Sequence, residues 1–403
     1  MRILMIAPEP FFEPRGTPFS EYHRIRALTA LGHDVDLVTY PFGQPVSMPG
    51  LRIFRCARPP FISRVKIGPS AAKLPLDAML TLTAVRRAAA ERYDAIHSHE
   101  EGGVIGAALS AILRVPHLYD MHSSLPQQLT NFAFSGSRIL RAVFVALERF
   151  MIRRSRAVIV ICPSLEETVR AIAPDARTVL IENAPGSVEE QATSEQAAAV
   201  RASLGLAAST PIVLYTGTFE AYQGLDLLFD AWAVARRRVP SDARLVLAGG
   251  KPDQIAAARE LARRAGVDAS TVFAGERPAS EIPAYLLAAD ALVSPRSRGT
   301  NTPLKIYQYL RSGKPIVATR LLTHTQVLDD DTAMLTDATA EAFGAGIAAA
   351  LTDRARAAAI GRQAQRLAET KYSYEAYLEK TRQACAALFE ARRPHAQPAK
   401  DVA

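Results

Sequence analysis

Polar and cationic residues that could bind a ligand are concentrated between 294 and 318, where the sequence reads SPRSRGTNTPLKIYQYLRSGKPIVA. A loop of small polar residues leads into a helix that opens near Pro303 and ends at Gly313. The first backbone N–H groups of a helix have no partner inside it, so a junction of this kind binds anions. Arg296, Arg298 and Lys305 add positive charge there. The pattern favours a phosphate site; the alternative is a surface turn whose charges are solvated.

Reactive side chains in the first half of the chain follow predicted strands. His99 and Glu100 come after the run YDAIH, and Asp120 and His122 come after PHLY. Catalytic groups of α/β sheets lie at the carboxyl ends of parallel strands. Gly16 follows the first strand, where a glycine lets the backbone approach a phosphate closely. For Asp120 and His122 the alternative is a capping aspartate and a packed histidine.

Alternating strands and helices must position these groups. The chain opens as strand, loop, helix, strand, and a second alternation begins near residue 211, after a polar, alanine-rich connection. The predicted strands are Arg2–Ala7, Asp34–Thr39, Tyr93–His97, Pro116–Tyr119, Ala157–Ile161, Pro211–Thr216, Arg244–Ala248, Thr271–Ala274, Ala291–Ser294 and Pro315–Thr319. The predicted helices are Glu21–Leu31, Gly224–Arg238, Gln254–Ala265, Ser280–Ala289, Leu304–Ser312 and one from Tyr372 to about Arg393. This order predicts an α/β protein with two Rossmann-like domains facing a cleft that binds the ligand.

We place the predicted domains at residues 1–185 and 186–372. A C-terminal helix at 373–393 follows, and we expect it to pack back on the first domain.

Composition and charge limit the function classes. The chain has 403 residues, 49% apolar and 22% charged, and a formal charge of +8. That charge suits a nucleic acid, an anionic membrane or a phosphate-bearing substrate, but no nucleic-acid recognition motif occurs, so we expect no nucleic-acid partner. The first loop lacks the G-x-G-x-x-G of nicotinamide enzymes. No apolar run is long enough to span a bilayer, and three scattered cysteines form no disulfide framework, so a cytoplasmic protein is expected.

Short motifs along the chain carry a resemblance to a known family. They are Pro8 and Gly16, HSHE at 97–100, YDMH at 119–122, IEN at 181–183, VLYTGTF at 213–219 with QG at 223–224, FAG at 273–275, AAD at 288–290 and KPIVA at 314–318. As an assembly they resemble the retaining glycosyltransferases of family 4, also called group 1, which have the GT-B fold of two facing Rossmann-like domains. The resemblance covers nearly the whole chain.

The resemblance implies transfer of a sugar from a nucleoside-diphosphate donor to a hydroxyl of a glycan or lipid-linked acceptor, with retention of configuration, in bacterial envelope or exopolysaccharide synthesis. The N-terminal domain would bind the acceptor and the C-terminal domain the nucleotide-sugar. Gly16 would lie under the donor diphosphate and His122 beside the transferred sugar. Asp120 would orient His122 or bind a hydroxyl, and His99 and Glu100 would meet the acceptor. The resemblance implies no cofactor and no obligatory metal.

Four positions depart from the family pattern. The family motif Glu-x7-Glu falls on Thr300 and Gln308, and the family's phosphate-binding Arg and Lys fall on Thr218 and Gln223. Gln308 can bond ribose hydroxyls, but without the strength that a carboxylate gives. We expect the lost charge to be replaced by Lys305, with Arg298 and Arg296 and the backbone amides of 299–302. The predicted donor site is Gly16, Thr218, Gln223, Arg298, Gly299, Thr300, Asn301, Thr302, Lys305 and Gln308. The alternative is a non-catalytic GT-B binding or scaffold subunit that has lost its phosphate site.

Residues 138–156 predict a basic amphipathic helix. At about 100° per residue, one face collects Arg138, Arg141, Arg149, Arg153 and Arg156, and the other collects Leu140, Val143, Phe144, Leu147 and Met151. The segment 59–73 adds Arg64 and Lys66 beside Phe61, Ile62 and Val65, which we expect to be exposed. Such a helix can lie on an anionic membrane surface, or it can pack on the core with a solvated charged face.

Overall fold

The computed structural model describes residues 1–12, 16–63, 65, 70, 73–127, 137–182 and 192–390. Arg64 and Lys66 of the predicted membrane segment lie outside the described residues, as do the last residues of the predicted C-terminal helix. Contacts divide the chain into two compact units: Met1–Asn183 with Tyr377–Ala403, and Ala184–Ala376.

The first unit contains a seven-stranded sheet in which all neighbours are parallel. The strands are β1 (Arg2–Ala7), β2 (Asp34–Thr39), β3 (Leu51–Arg55), β4 (Ala95–His99), β5 (His117–Met121), β6 (Ala157–Val160) and β7 (Thr178–Leu180), in the spatial order β3-β2-β1-β4-β5-β6-β7. The central strands are apolar and buried, as expected when helices cover both faces of a parallel sheet. The strand order reverses between β1 and β4, so the loops that follow these strands diverge and leave a crevice at their carboxyl ends.

Among the described residues up to 182, the longer helices of this unit are α1 (Gly16–Ala30), α2 (Lys73–Ala90), α3 (Gly102–Leu113), α4 (Arg138–Arg154) and α5 (Pro163–Ile172). Helix α1 begins five residues before the predicted start. It accommodates Pro18 because a proline in the first turn loses an N–H that has no helical partner anyway.

The second unit contains a six-stranded parallel sheet. Its strands are β8 (Ile212–Thr216), β9 (Arg244–Ala248), β10 (Thr271–Gly275), β11 (Ala291–Ser294), β12 (Ile316–Thr319) and β13 (Met334–Thr336), in the order β10-β9-β8-β11-β12-β13. The order reverses between β8 and β11. The helices are α6 (Ser194–Ser203), α7 (Leu225–Ala235), α8 (Pro252–Arg264), α9 (Ile282–Ala288), α10 (Lys305–Ser312), α11 (Leu322–Thr325), α12 (Ala340–Thr352) and α13 (Arg354–Lys371). Both units are therefore Rossmann-like α/β folds.

The last described helix, α14 (Tyr374–Ala387), packs on the first unit although it follows the second in sequence. Tyr377, Ala384 and Leu388 lie in one apolar cluster with Ala27 of α1 and Leu118 of β5. The helix is shorter than the predicted one.

The structure corrects the sequence-based elements at the strand ends of the first unit. The predicted strand Tyr93–His97 lies two residues later, as β4, and Pro116–Tyr119 becomes β5. His99 is therefore the last residue of β4 and Asp120 the last but one of β5, and neither follows its strand. Strands β3, β7 and β13 were not predicted. They are short, and β3 alternates apolar residues with arginines and is only partly buried, so none of them carries a strong strand signal.

The predicted membrane-facing residues divide between core and surface. Ile62, expected to be exposed, is 4% exposed and packs in a core cluster with Leu76 and Leu80 of α2. That expectation was wrong because the segment lies against α2 and completes the core there, and Val65 is partly buried on the same cluster. Phe61 is 79% exposed. Within the described residues, no helix combines the length and apolarity needed to cross a bilayer.

Candidate functional site

Each unit carries a group of polar side chains near the carboxyl ends of its central strands. In the second unit the group centres on Lys305, at the start of α10. Its Nζ donates to the carbonyl oxygen of Thr216 at 3.1 Å and to Oε1 of Gln223 at 3.4 Å, and it lies 3.8 Å from the centre of the Tyr215 ring. The residue is only 8% exposed, and no carboxylate among the described residues pairs with it. Burial lowers the pKa of Lys305 well below its usual value, and the charge of Arg296 lowers it further.

The structure brings Thr218 and Gln223 to the same place as Lys305. Gln223 is buried, and its Nε2 lies 3.5 Å from Oγ1 of Thr218. The hydroxyl of Tyr215 donates to the carbonyl of Thr218 at 2.7 Å and fixes this turn. The lysine on α10 therefore brings its amine, which can be protonated, to the two positions at which the family resemblance predicts an arginine and a lysine.

The loop after β11 is held by its own arginine. Arg296 Nε donates to the carbonyl of Arg298 at 3.0 Å, and its Nη1 donates to that of Asn301 at 2.9 Å. The carbonyl of Thr300 accepts from Gln326 Nε2 at 2.5 Å. Arg296 thus holds the loop through the carbonyl oxygens of Arg298 and Asn301.

The remaining predicted donor residues lie along the same loop and helix. Arg298 and Gly299 are exposed, Thr302 is buried with its hydroxyl unpartnered among the described residues, and Gln308 is half-buried one turn beyond Lys305. Gly299 has a φ of 110°, a conformation that favours glycine. Gly16, by contrast, belongs to the first unit, where it is the first residue of α1.

The group in the first unit centres on Asp120, which is fully buried. Its Oδ1 lies 3.1 Å from Nε2 of His122, and its Oδ2 lies 3.4 Å from Nε2 of His97 and 3.9 Å from Nδ1 of His99. Nδ1 of His99 lies 3.3 Å from Nε2 of His122. Burial alone would raise the pKa of Asp120, but Arg24 and then His122 and His99 hold it well below its usual value. Asp120 therefore stays ionised, and the imidazole side chains of three histidines, at 97, 99 and 122, lie around it.

Arg24 is the main partner of Asp120, and sequence reasoning missed it. Its Nε donates to Asp120 Oδ2 at 2.9 Å from within α1, and its Nη1 donates to Thr381 Oγ1 of α14 at 3.2 Å. The available signal was a run of polar residues, Glu21, His23 and Arg24, inside a helix that covers a sheet; all three are buried.

Two glutamates near Asp120 have pKa values raised by burial. Burial raises the pKa of Glu100 to about 8, and Ser123 Oγ donates to its two carboxylate oxygens at 3.1 and 3.0 Å. Glu100 has a φ of 45°, which is strained for a residue with a side chain and is found most often at functional sites. Burial also raises the pKa of Glu21, whose carboxyl has no hydrogen-bond partner among the described residues.

Three of these residues are of types that bind metals. His97, His99 and Asp120 offer ligand atoms within 4.8 Å of one another. The Arg24 guanidinium already occupies Asp120 Oδ2 and would repel a cation there, so we assign the cluster no metal. Burial lowers the pKa of both His97 and His99, which keeps these rings neutral. The group can orient and polarise a substrate through His122 and Asp120.

Comparison with known proteins was made by sequence and by structure. Residues 22–184 match the model of a glycosyl transferase 4-like domain, and residues 210–353 match that of glycosyl transferases group 1. The chain is 26% identical over 265 residues to a D-inositol 3-phosphate glycosyltransferase of Corynebacterium diphtheriae, covering 61% of this chain and 59% of that protein. It is 33% identical over 159 residues to a GDP-mannose-dependent alpha-(1-6)-phosphatidylinositol monomannoside mannosyltransferase of Mycolicibacterium smegmatis, covering 38% and 41%. The matched regions thus span less than two thirds of these relatives.

The fold has solved counterparts. The crystal structure of Anabaena HepE in complex with UDP superposes with a TM-score of 0.73 and 18% identity, covering 96% of this chain and all of that one. At that identity the likeness establishes the fold, which is GT-B.

Proposed function

We infer the function from one premise: this chain belongs to the group 1 glycosyltransferases with a family 4-like N-terminal domain. We propose that it transfers a sugar from a nucleoside-diphosphate sugar to a hydroxyl of a glycan or lipid-linked acceptor, with retention of configuration. The acceptor class draws support from the mycobacterial relative, whose name describes a lipid-linked acceptor. Bacterial envelope or exopolysaccharide synthesis is the setting in which such an acceptor is used.

The observation that carries this proposal is the position of Lys305. A buried lysine whose partners are one carbonyl and one amide oxygen is costly to protonate in the free protein. A diphosphate beside it, at the turn of Thr218 and Gln223, would supply the missing anion. The interaction of Lys305 with the bound diphosphate would then explain why the chain buries a lysine here.

We assign charge stabilisation to the group around Lys305 and orientation of the substrates to the group around Asp120. In retaining transfer of this kind, the acceptor hydroxyl attacks on the face from which the diphosphate departs and passes its proton to the leaving oxygen. Lys305 and the amides of the loop after β11 stabilise the negative charge that develops on that oxygen. His122, oriented by Asp120, bonds the transferred sugar, and Glu100 with His99 lines the acceptor side.

A second function is favoured by a specific observation. Thr300, Gln308, Thr218 and Gln223 replace four charged family residues, which is what a non-catalytic GT-B binding or scaffold subunit would show. The two functions differ in whether a donor binds.

Thermal stability with UDP-, GDP-, ADP- and dTDP-sugars separates them. A ligand at 100 times its Kd adds about 2.7 kcal/mol to the free energy of unfolding. We expect one nucleotide to raise the melting temperature and the others to leave it unchanged. If the folded protein responds to none of them at millimolar concentration, the binding or scaffold function replaces the enzymatic one.

We also propose that α4 binds the cytoplasmic face of an anionic membrane. Its inner side chains Phe144, Leu147 and Met151 pack on the unit, but Ile139 is 79% and Val143 46% exposed. They lie among the arginines of the same helix, Arg138, Arg141, Arg149 and Arg153, and basic charge beside exposed apolar side chains is what binds acidic lipid headgroups.

Co-sedimentation with vesicles tests this. The protein should bind phosphatidylglycerol vesicles and not phosphatidylcholine vesicles, and Ile139→Gln with Arg141→Gln should weaken binding. Ile112→Gln on α3, where the isoleucine is 74% exposed, is the matched control. Equal binding by the α4 variant and by wild type would refute the assignment.

A further inference from the structure

A chain of buried contacts links the last described helix to the candidate catalytic carboxylate of the first unit. Arg24 donates from Nε to Asp120 and from Nη1 to Thr381, at 2.9 and 3.2 Å. Its guanidinium carbon lies 4.9 Å from the centre of the Tyr377 ring. The side chains of Arg24 and Asp120 are 2% and 0% exposed, so their orientation depends on contacts with other protein groups and not on water.

Asp120 depends on this cation. A carboxylate taken out of water loses several kcal/mol of solvation, and only a partner of opposite charge with good geometry restores it. Arg24 supplies that partner on Oδ2, which leaves Oδ1 for His122 at 3.1 Å. If the guanidinium rotated away, Oδ2 would lose its permanent cationic partner, and protonation of the carboxyl would become more favourable.

Arg24 in turn depends on α14. Burial opposes its charge, and Tyr377 and Asp120 keep the pKa of Arg24 above its usual value. The hydroxyl of Thr381 donates to the carbonyl of Tyr377 at 2.8 Å, so its lone pairs remain to accept from Arg24. A planar guanidinium bonded in two directions and stacked on a ring has one orientation.

We propose that Thr381 and Tyr377 are positioning residues for sugar transfer, which through Arg24 hold the Asp120 carboxylate in the orientation that faces His122. The proposal rests on the function proposed above, because that function gives Asp120 and His122 their roles. Neither Thr381 nor Tyr377 lies in a motif of the family, and Thr381 is 357 residues from Arg24 in sequence.

The groups that face Asp120 come from four elements. They are Arg24 and Glu21 on α1, His97 and His99 on β4, Glu100 after β4, and His122 after β5. Arg24 is the one permanent cation in this described set, so loosening it removes most of the attraction that keeps Asp120 ionised. The pKa of Asp120 then rises, and the carboxylate is lost at a higher pH.

Steady-state kinetics of the full-length protein, with the donor identified by the stability screen, tests the proposal. Thr381→Val keeps the shape and removes the hydroxyl; we expect kcat to fall about 10-fold, the scale of one hydrogen bond to a charged group. The donor KM should stay unchanged and the acid limb of the kcat/KM profile should move to higher pH. Thr381→Ser should restore both. Arg382→Ala, which removes an exposed charge from the next position, is the control and should behave as wild type.

Two results overturn the proposal. One is a Thr381→Val enzyme with wild-type kcat and pH profile; the other is a uniform loss of kcat at every pH that Thr381→Ser does not restore. If wild type transfers no sugar from any donor, the proposed function fails, and the positioning role is read from stability instead. On acidification, the melting temperature must then fall at a higher pH in Thr381→Val than in wild type. If it falls over the same pH range in both proteins, the positioning role is refuted.

Discussion

Replacing Lys305 with methionine should stabilise the free protein and weaken its binding of the nucleotide-sugar. Methionine is close to lysine in length and fills the space against the Tyr215 ring, but it carries no charge. The two effects have opposite signs because the buried ammonium is unfavourable without an anion and favourable with one.

The stability effect follows from the direction of the pKa shift. Burial lowers the pKa of Lys305 below its usual 10.5. Between the folded pKa and 10.5 the unfolded chain binds a proton more readily than the folded one, so wild-type stability rises with pH through that window. The methionine variant lacks this dependence. It should gain on the order of 1 kcal/mol at pH 7, after the loss of two hydrogen bonds to neutral oxygens, and its advantage should shrink towards pH 10.

The affinity effect is larger. One charge-assisted hydrogen bond to a phosphate contributes about 1.5–3 kcal/mol, so the Kd for the donor should rise roughly 10- to 100-fold. The diphosphate also favours the protonated lysine. Wild type should therefore take up a proton when the donor binds, and the variant should not.

Calorimetric titration in two buffers of different ionisation enthalpy measures both affinity and proton uptake, and denaturant unfolding at pH 7 and pH 10 measures stability. Lys371→Met, which changes an exposed lysine of the same unit, is the control for loss of charge. A Lys305→Met variant that binds the donor as tightly as wild type, with the same proton uptake, would show that the charge lost at Thr218 and Gln223 is not replaced from α10.

Three further predictions concern other residues. Because the folded pKa of Glu100 is about 8 against 4.5 for the free group, the folded state holds a proton that the unfolded chain releases, and stability falls as pH rises from about 5 to 8; Glu100→Gln should remove this loss of a few kcal/mol in urea unfolding curves taken across that range. Gly224→Ala should cost about 1–3 kcal/mol, since φ is 73° and the added Cβ would lie 2.2 Å from the carbonyl oxygen of Pro295; a Gly205→Ala variant, with a similar φ and open space, should lose less. Arg24→Met should cost about 3–5 kcal/mol by removing the permanent cationic partner of the buried Asp120 carboxylate, and adding Asp120→Asn should recover part of that loss in a double-mutant cycle.

The alternation of apolar runs was sufficient to predict two parallel sheets and their central strands, but not the strands β3, β7 and β13. Strands such as β1, β8 and β11 are buried on both faces, so their sequences are continuous apolar runs with clear ends. Strands β3 and β7 lie at the edges of their sheet and are only partly buried, so the burial that produces such runs is weaker there.

The predicted site residues stay predictions in their roles, but the structure shows which partners sequence could not reveal. The helix that begins near Pro303 was predictable, whereas the inward direction of Lys305 depends on space beside Tyr215 and Gly217, residues of another strand and turn. The partners of Arg24 could not be predicted for the same reason. An arginine in a helix is usually solvated, and only the fold brings Asp120 and α14 to this one.

The contact between Arg24 and Thr381 sets an order of events during synthesis. All seven strands of the first unit leave the ribosome before α14, which emerges only after the whole second unit. Throughout that interval Arg24 and Asp120 are present, but Thr381, which bonds the guanidinium, is not. A fragment ending before Tyr374 would therefore resemble a nascent chain at this stage, which has Arg24 and Asp120 but lacks the helix that completes their surroundings.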